Sequence, residues 1–370
     1  MSDRQGPLRG LRVLEFAGLG PGPFCGMLLA DLGAEVVQVD RPGGSTAHYG
    51  LDPRRNLLHR GRLSVVVDLK DPASVETVLR LIEKADAVIE PNRPGVAERL
   101  GIGPEHCLAR NSRLVYGRIT GWGQTGPRAG DAGHDINYAA LSGALHSIGP
   151  ADAVPTIPNN FVADMGGGGL YLAFGLLAAI YEAQRSGKGQ VVDAAMIEGA
   201  ALQFMGSLTM KANGQFSDRR GSHYSDGASH FYNVYRTADG KFISVGAIEP
   251  QFYRAFREGL GVADDPAFDL QMDPTCWPDL KKRTAAIIAS RPREEWIDRF
   301  GSDACVAPVL ASGELADDPH LAARASFISI NGHLQAAPGP RFSRTPGAVS
   351  GPPPEPGVHQ SIVMQSWGIE

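Results

Sequence analysis

The sequence predicts an α/β protein with a large Rossmann-like domain, built on an open, mostly parallel sheet, and a smaller α+β domain. Three observations support this prediction. The chain has 370 residues, more than the roughly 250–300 that one hydrophobic core usually holds. Apolar strand-like runs alternate with helical patterns through the first half of the chain, which favours a parallel sheet covered on both faces. Later in the chain, a hairpin pattern is followed by helices.

The strands of the large domain are short apolar runs separated by helical patterns. We expect strands at residues 11–17, 35–40, 65–68, 87–90, 114–118 and 190–194. Helices are predicted at residues 24–32, 72–85, 134–148 and 170–185. In the second of these helices Val75, Val78, Leu79 and Ile82 have the three–four spacing of a buried helix face.

A change of pattern after residue 200 sets the predicted domain boundaries. The Asp239-Gly240 pair between two β-rich runs is a strong hairpin signal, and helices are expected near residues 250–260, 279–290 and 292–300. We therefore expect a large α/β domain at residues 1–200 and a linker at 201–224. A small domain should occupy 225–325, and a return segment at 326–370 should pack on the large domain.

Composition and charge exclude several classes of protein. Apolar residues make up 43% of the chain and charged residues 20%, which is ordinary globular usage. A net charge of −5 argues against binding nucleic acid by charge alone. The four cysteines are scattered, so we expect no disulfide framework, no zinc site and a cytoplasmic location. The longest apolar run, residues 170–181, is too short to span a bilayer.

Two features near the strand ends could bind a nucleotide. The loop at residues 18–23 has alternating glycines, but Pro23 stands where a dinucleotide fingerprint needs its third glycine, so a tight strand-to-helix turn is favoured over a nicotinamide site. Basic residues also gather near the strand ends, and they fit a polyanionic ligand and a solvated basic surface equally well. These basic residues are Arg41, Arg54, Arg55, Arg60, Arg62, Lys70, Arg93 and Arg99.

Three residues are candidates for acid–base chemistry. His134 opens a predicted helix after a glycine-rich loop, and imidazole titrates near neutral pH. Asp164 precedes four glycines; because glycine is unfavourable in helices, we expect a ligand to approach the backbone there. Glu249 leaves the hairpin and precedes a helix. The alternative interpretations are a structural histidine, a helix cap and an exposed strand end.

Eight segments together resemble the α-methylacyl-CoA racemases of the family III CoA-transferase superfamily. They are residues 11–40, 68–70, 93–95, 120–127, 133–138, the glycine run after Asp164, 187–193 and 247–252. The resemblance covers nearly the whole chain. It implies an interlocked homodimer that acts on an acyl-CoA thioester, such as a branched-chain fatty acyl-CoA of lipid metabolism, with neither a metal nor a redox cofactor.

Within the superfamily, the resemblance favours a racemase over a transferase. Transferases use an aspartate nucleophile at the position of Asp164 and usually carry an aromatic residue at that of His134. Racemases carry histidine there and pair it with the aspartate and a glutamate matching Glu249. An aromatic that could stack on adenine is absent, because Pro91-Asn92 replaces a glycine and an aromatic. The CoA contacts that the resemblance implies are Arg41, Val67, Asp68, Leu69, Lys70, Pro91, Asn92, Arg93, Arg99, Gly133, Asp135, Ile136, Asn137 and Tyr138.

The implied reaction interconverts (2R)- and (2S)-2-methylacyl-CoA through an enolate. His134 and Asp164 would act on opposite faces of the α-carbon, and Glu249 would orient His134 across the boundary between two chains. We expect the backbone N–H of Asp164 to stabilise the enolate oxygen. The alternative is a family III CoA-transferase that moves CoA between carboxylic acids with Asp164 as nucleophile.

Overall fold

The computed structural model describes residues 4–44 and 52–369. The chain forms two compact units. The larger unit contains residues 1–144, 159–203 and 323–370, and the smaller one contains residues 145–158 and 204–322. The segment expected to be a linker, 201–224, thus contributes most of its length to the smaller unit.

A six-stranded sheet forms the centre of the larger unit, and every pair of neighbouring strands is parallel. The strands are β1 (Arg12–Phe16), β2 (Glu35–Asp40), β3 (Leu63–Val66), β4 (Ala87–Glu90), β5 (Val115–Thr120) and β6 (Gln190–Ala195). They lie in the order β3-β2-β1-β4-β5-β6. This arrangement confirms the predicted α/β fold. Because the strand order reverses between β1 and β4, a crevice opens there beyond the carboxyl ends of the strands.

Helices connect the strands and cover the sheet. They are α1 (Pro21–Asp31), α2 (Pro72–Ile82), α3 (Val96–Arg99), α4 (Pro104–Arg110), α5 (Asp135–Leu141), α6 (Tyr171–Ser186) and α7 (Met196–Gln203). Local sequence sets the start of helix α2. The Asp71 side chain accepts a hydrogen bond from the Ser74 N–H at 3.0 Å, and Pro72 occupies the first turn. Its buried face, Val78, Leu81 and Ile82, packs in the core under the sheet.

Helix α5 is shorter than the sequence analysis predicts. The helix expected at residues 134–148 ends at Leu141, two residues before Gly143, whose φ of 88° lies in the left-handed region. A left-handed glycine ends a right-handed helix at little cost. The structure therefore leaves His134 at the start of a helix of only seven residues.

A π-helical stretch, Phe161–Leu170, runs directly into α6 and contains the whole glycine run. These glycines are explained by close helix packing. A Cβ on Gly199 of α7 would lie 1.9 Å from the carbonyl oxygen of Gly167, and one on Gly169 would lie 2.6 Å from that of Pro21 in α1. The expectation that a ligand approaches the backbone here is wrong at Gly167 and Gly169, because the backbones of α7 and α1 occupy that space.

The continuous helix Phe161–Ser186 has 26 residues and a mean hydropathy of 1.4 in its most apolar window. By length and composition alone it could cross a membrane. It is longer than the apolar run considered in the sequence analysis because the glycine stretch is helical. Since core helices of soluble proteins share these properties, this feature alone assigns no membrane role.

The smaller unit contains the predicted hairpin and helices. Strands β7 (Tyr232–Arg236) and β8 (Phe242–Gly246) pair antiparallel, with Gly240 at φ 77° in the turn, which confirms the hairpin. A third strand, β9 (Val306–Val309), pairs with β8 and was not predicted. The core includes Phe231, Phe256 and Trp296. The elements are α8 (Met205–Ala212), β7 (Tyr232–Arg236), β8 (Phe242–Gly246), α9 (Pro250–Leu260), α10 (Trp277–Ile288), α11 (Arg293–Phe300), β9 (Val306–Val309) and, at the unit boundary, α12 (Pro319–Ala323).

The C-terminal segment returns to the larger unit. It forms the hairpin of β10 (Phe327–Ile330) and β11 (His333–Ala336), an irregular proline-rich stretch, and α13 (Gln360–Trp367). The Trp367 indole donates to Glu35 Oε1 at 2.6 Å, and Gln360 Oε1 accepts the Val66 N–H at 2.9 Å. The helix therefore packs beside the exposed edge of β3. It was not predicted, because the tail reads as extended.

Two buried ion pairs fix the chain between β2 and β3 to the sheet. Arg62 pairs with Glu15 of β1 at 2.8 Å, both fully buried, and Arg60 pairs with Asp31 of α1 at 2.6 Å. Arg62 also donates to the carbonyl oxygens of Leu58 and Pro23. These two arginines belonged to the basic set considered for a polyanionic ligand. The structure instead assigns them to the interior of the fold.

Removing Arg62 should strongly destabilise the fold. Arg62→Met leaves the Glu15 carboxylate buried without its partner, which should lower the free energy of unfolding by about 3–5 kcal/mol. Arg110→Met is the control, because Arg110 pairs with half-exposed Glu76 and Glu83; its cost should stay near 1 kcal/mol. Urea unfolding measures both values, and equal costs would contradict the structural assignment.

Alanine at two helical glycines should have opposite effects. Gly199→Ala places a methyl group against the Gly167 backbone, which should cost about 1–3 kcal/mol. Gly206→Ala in α8 is exposed with open space around it, so it should stabilise by about 0.5–1 kcal/mol. Thermal unfolding of the two variants tests this contrast, and similar melting temperatures would refute the packing explanation.

Candidate active site

A cavity of about 520 Å³ opens in the larger unit at the carboxyl ends of β1, β4 and β5. Leu19 and Gly20 line it from the loop after β1, and residues after β4 and β5 line the opposite wall. Both His134 and Asp164 also line it. The cavity thus lies at the β1/β4 reversal of strand order, where open α/β sheets bind ligands.

His134 occupies the position before the first turn of α5 and is exposed to the cavity. Its backbone N–H donates to the Asn137 side-chain oxygen at 3.0 Å, and its carbonyl oxygen accepts the Asn137 N–H at 2.8 Å. These reciprocal bonds fix the start of the helix. The backbone of His134 is therefore held while its ring faces open space.

Asp164 lies in the first turn of the Phe161–Leu170 stretch. Its Oδ2 accepts a hydrogen bond from the Asn160 amide at 2.7 Å and lies 3.2 Å from where a Cβ on Gly20 would be. Burial raises the pKa of the Asp164 carboxyl above its usual value. The hydrogen bond from Asn160 lowers this pKa, the negative charge of Asp135 raises it, and the nearby His134 lowers it. Asp164 and His134 line the same cavity.

The backbone N–H of Asp164 is already engaged in a hydrogen bond within the protein. It donates to Asp135 Oδ1 at 2.8 Å, and the N–H of Ala163 donates to the same oxygen at 2.9 Å. The expectation that the Asp164 N–H binds an enolate oxygen is therefore wrong. The Asp135 side chain is buried; its Oδ1 accepts both of these bonds, whereas its Oδ2 is buried without a hydrogen-bond partner among the described residues.

Tyr138 and Trp122 form one wall of the cavity. Their rings meet edge to face with centroids 4.8 Å apart. A Cβ on Gly121 would lie 2.0 Å from the tyrosine ring, and one on Gly133 would lie 2.7 Å from it, so both glycines make room for this ring. Burial and nearby Asp164 raise the pKa of Tyr138, whereas Arg93 opposes the rise.

The residues predicted to contact CoA lie in two groups, and most are at the carboxyl edge of the sheet. The first group follows the ends of β2, β3 and β4. Within it, the backbone N–H of Lys70 donates a hydrogen bond to Asp68 Oδ1. The Arg99 guanidinium lies over Gly95. The second group is the first turn of α5. The first group comprises Arg41, Val67, Asp68, Leu69, Lys70, Pro91, Asn92, Arg93 and Arg99, and the second comprises Gly133, Asp135, Ile136, Asn137 and Tyr138.

Glu249 lies in the smaller unit, exposed at the start of α9. Its predicted approach to His134 across a chain boundary stays a prediction. Within residues 4–44 and 52–369, no group of three His, Cys, Asp or Glu side chains is placed to hold a metal ion. Sequence reasoning missed Asn160, although its spacing of four residues from Asp164 is a helical-neighbour signal.

Removing the Asn160 amide should raise the pKa of Asp164 further, because its hydrogen bond favours the ionised carboxylate. The titration of the Asp164 carboxyl should move to higher pH in Asn160→Ala. Carbon-13 NMR of labelled aspartate, assigned with Asp164→Asn, measures it. Asn213→Ala is the control, since Asn213 bonds the Thr209 carbonyl in the smaller unit. An unchanged titration in Asn160→Ala would contradict the assigned hydrogen bond.

Comparison with known proteins identifies the family of this chain. The sequence pattern that defines CoA-transferase family III matches residues 8–360. Over 367 residues, the chain is 44% identical to α-methylacyl-CoA racemase of Mus musculus and 43% identical to that of Homo sapiens; these matches cover 98% of this chain and 93% and 94% of the relatives. A CaiB/BaiF family protein from Brucella suis has a similar structure, with a TM-score of 0.86 at 25% identity over 98% of this chain and 100% of that one. The chain therefore belongs to CoA-transferase family III.

Proposed function

We propose that the protein is an isomerase that interconverts (2R)- and (2S)-2-methylacyl-CoA thioesters by 1,1-proton transfer. The observation that carries this proposal is the presence of an imidazole and a carboxyl group on two elements lining one cavity. The names of the relatives that are 43–44% identical support it over the transferase alternative. Activity assays with a panel of acyl-CoA thioesters would show which acyl chain the enzyme prefers.

The reaction needs one base and one acid on opposite faces of the α-carbon. In one direction the neutral His134 imidazole removes the α-proton, and the electron pair left behind forms the enolate of the thioester. The protonated Asp164 carboxyl then delivers a proton to the other face. In the reverse direction the two roles exchange. The raised pKa of Asp164 supports this, because more of the carboxyl carries a proton near neutral pH than in an ordinary aspartate.

The CoA moiety is proposed to lie along the carboxyl edge of β3, β2 and β4. Arg41, Lys70, Arg93 and Arg99 supply cations there for its phosphates. The acyl thioester would enter the cavity at the β1/β4 reversal. All the chemistry falls to protein side chains, so we propose that no metal or redox cofactor takes part.

Glu249 and a second copy of the chain complete the proposal. In an interlocked homodimer, Glu249 of one chain would accept a hydrogen bond from His134 of the other and so fix its tautomer. The exposure of Glu249 at a helix start leaves its carboxylate available for this contact. The cytoplasmic location predicted from the cysteines stays a prediction.

The alternative, a family III CoA-transferase, uses the same aspartate differently. Asp164 would attack the thioester carbonyl, release CoA and form an acyl anhydride. Hydroxylamine would trap that anhydride and inactivate the protein. A racemase forms no covalent intermediate, so we expect full activity after incubation with acyl-CoA and hydroxylamine, measured against protein without acyl-CoA.

Deuterium exchange separates the two proposed acid–base residues. In D2O, the wild-type protein should epimerise either pure epimer of a 2-methylacyl-CoA and place deuterium at the α-carbon. His134→Ala should lower exchange from one epimer by about 100-fold or more. The other epimer should still exchange its α-proton for deuterium in this variant but should not invert, because Asp164 still reaches its α-carbon while the opposite acid–base group is missing. Asp164→Asn should show the mirror pattern.

The matched control for this experiment is His106→Ala, which removes an exposed histidine of α4. It should exchange both epimers at the wild-type rate. Mass spectrometry of the thioester and chiral separation of the acid give the two readouts. Small, equal losses for both epimers in His134→Ala would show that His134 is only structural.

A further inference from the structure

The carboxylate of Asp135 joins the two backbones that carry the proposed acid and base. Its Oδ1 accepts the N–H groups of Ala163 at 2.9 Å and Asp164 at 2.8 Å. In the chain, Asp135 directly follows His134 and is the first residue of α5. One oxygen atom thus connects the start of α5 to the first turn of the helix that begins at Phe161. We call this pair of hydrogen bonds the Asp135 brace.

The brace is physically strong. N–H groups in the first turn of a helix have no acceptor within their own helix, and a negative charge near that end is favourable. Asp135 is only 5% exposed, so little water competes for the bonds. Hydrogen bonds to an ionised carboxylate are also stronger than those between neutral groups.

Neighbouring hydrogen bonds hold both ends of the brace. On one side, the His134 N–H donates to the Asn137 side chain at 3.0 Å. On the other, the Asn160 amide donates to the Asp164 carboxylate at 2.7 Å. The backbone of His134 and the carboxyl of Asp164 are therefore fixed relative to the oxygen of Asp135 between them.

We propose that Asp135 is a positioning residue whose brace sets the separation of the His134 imidazole and the Asp164 carboxyl across the substrate α-carbon. The proposal rests on the proposed epimerase function and deepens it. In this proposal the buried carboxylate acts through His134 and Asp164 rather than by its own contact with the substrate. Because both reacting groups must lie at near-attack distance, a displacement of about 1 Å can cost about 100-fold in rate.

The geometric and electrostatic effects of Asp135 can be separated. The charged or titratable groups that act on or respond to Asp164 are His134, Asp135 and Tyr138. The negative charge of Asp135 raises the pKa of Asp164. Asp135→Asn keeps an oxygen that can accept both N–H groups but removes this charge, whereas Asp135→Ala removes the oxygen and the charge together.

The two variants should therefore differ. Asp135→Ala should lower kcat by about 100-fold with KM for the thioester within about threefold. Asp135→Asn should keep kcat within about tenfold of wild type. In Asp135→Asn, the pH profile of kcat/KM should also change for the epimer that Asp164 deprotonates. The acid limb of that profile should move to lower pH, because removing the neighbouring negative charge lowers the pKa of Asp164.

Asp318→Ala provides the matched control. The Asp318 carboxylate accepts a hydrogen bond from the Leu321 N–H at 2.9 Å in the smaller unit. The Asp318→Ala substitution therefore also removes a carboxylate that caps a helix. It should leave kcat and the pH profile unchanged. Thermal unfolding of all three variants shows whether each is folded under assay conditions, and hydrogen exchange gives a readout that needs no substrate. The amides of Ala163 and Asp164 should lose protection in Asp135→Ala and keep it in Asp135→Asn.

Three results would overturn the proposal. They are a kcat within threefold of wild type in Asp135→Ala, equal losses of kcat in Asp135→Asn and Asp135→Ala, and unchanged amide protection in Asp135→Ala. Failure of the epimerase function is a different observation, since wild-type protein would then leave both epimers without deuterium. Normal wild-type deuteration together with an active Asp135→Ala overturns the brace alone.

Discussion

The packing of the Phe161–Leu170 stretch between α1 and α7 is the constraint on which the site depends. Three backbones approach so closely that Cβ atoms at Gly167, Gly169 and Gly199 would collide with neighbouring main-chain atoms. This contact places Asp164 beside the loop after β1, at the carboxyl edge of the sheet. The glycines therefore serve the site by fixing the helix that presents the carboxyl group.

Charges inside the larger unit have two different uses. The Glu15–Arg62 and Asp31–Arg60 pairs are buried and fix the chain between β2 and β3 against the sheet. The carboxylate of Asp135 is equally buried but accepts two backbone N–H groups beside the cavity. Its charge also adds to the effect of burial on the pKa of Asp164. Interior charge thus stabilises the scaffold in one place and adjusts the proposed acid–base chemistry in the other.

Local pattern predicted the parallel sheet, the hairpin at Asp239-Gly240, and the candidates His134 and Asp164. The features that local pattern did not predict depend on contacts between residues far apart in the chain. A glycine run looks the same whether a ligand or another helix lies against it, and the helix here is α7, about 30 positions later in the chain. The partners of Arg60 and Arg62 are similarly distant. Helix α13 follows a proline-rich stretch and is anchored by the Trp367 contact with Glu35, which has no local signal.

We propose that the His134 imidazole and the Asp164 carboxyl group approach the substrate α-carbon from opposite sides. A crystal structure of the protein with a bound 2-methylacyl-CoA tests it most directly. We expect a ring nitrogen of residue 134 and a carboxyl oxygen of residue 164 about 3–3.5 Å from the α-carbon, on its two faces. A complex in which both groups lie on the same face, or in which either lies beyond contact with that carbon, would contradict the account.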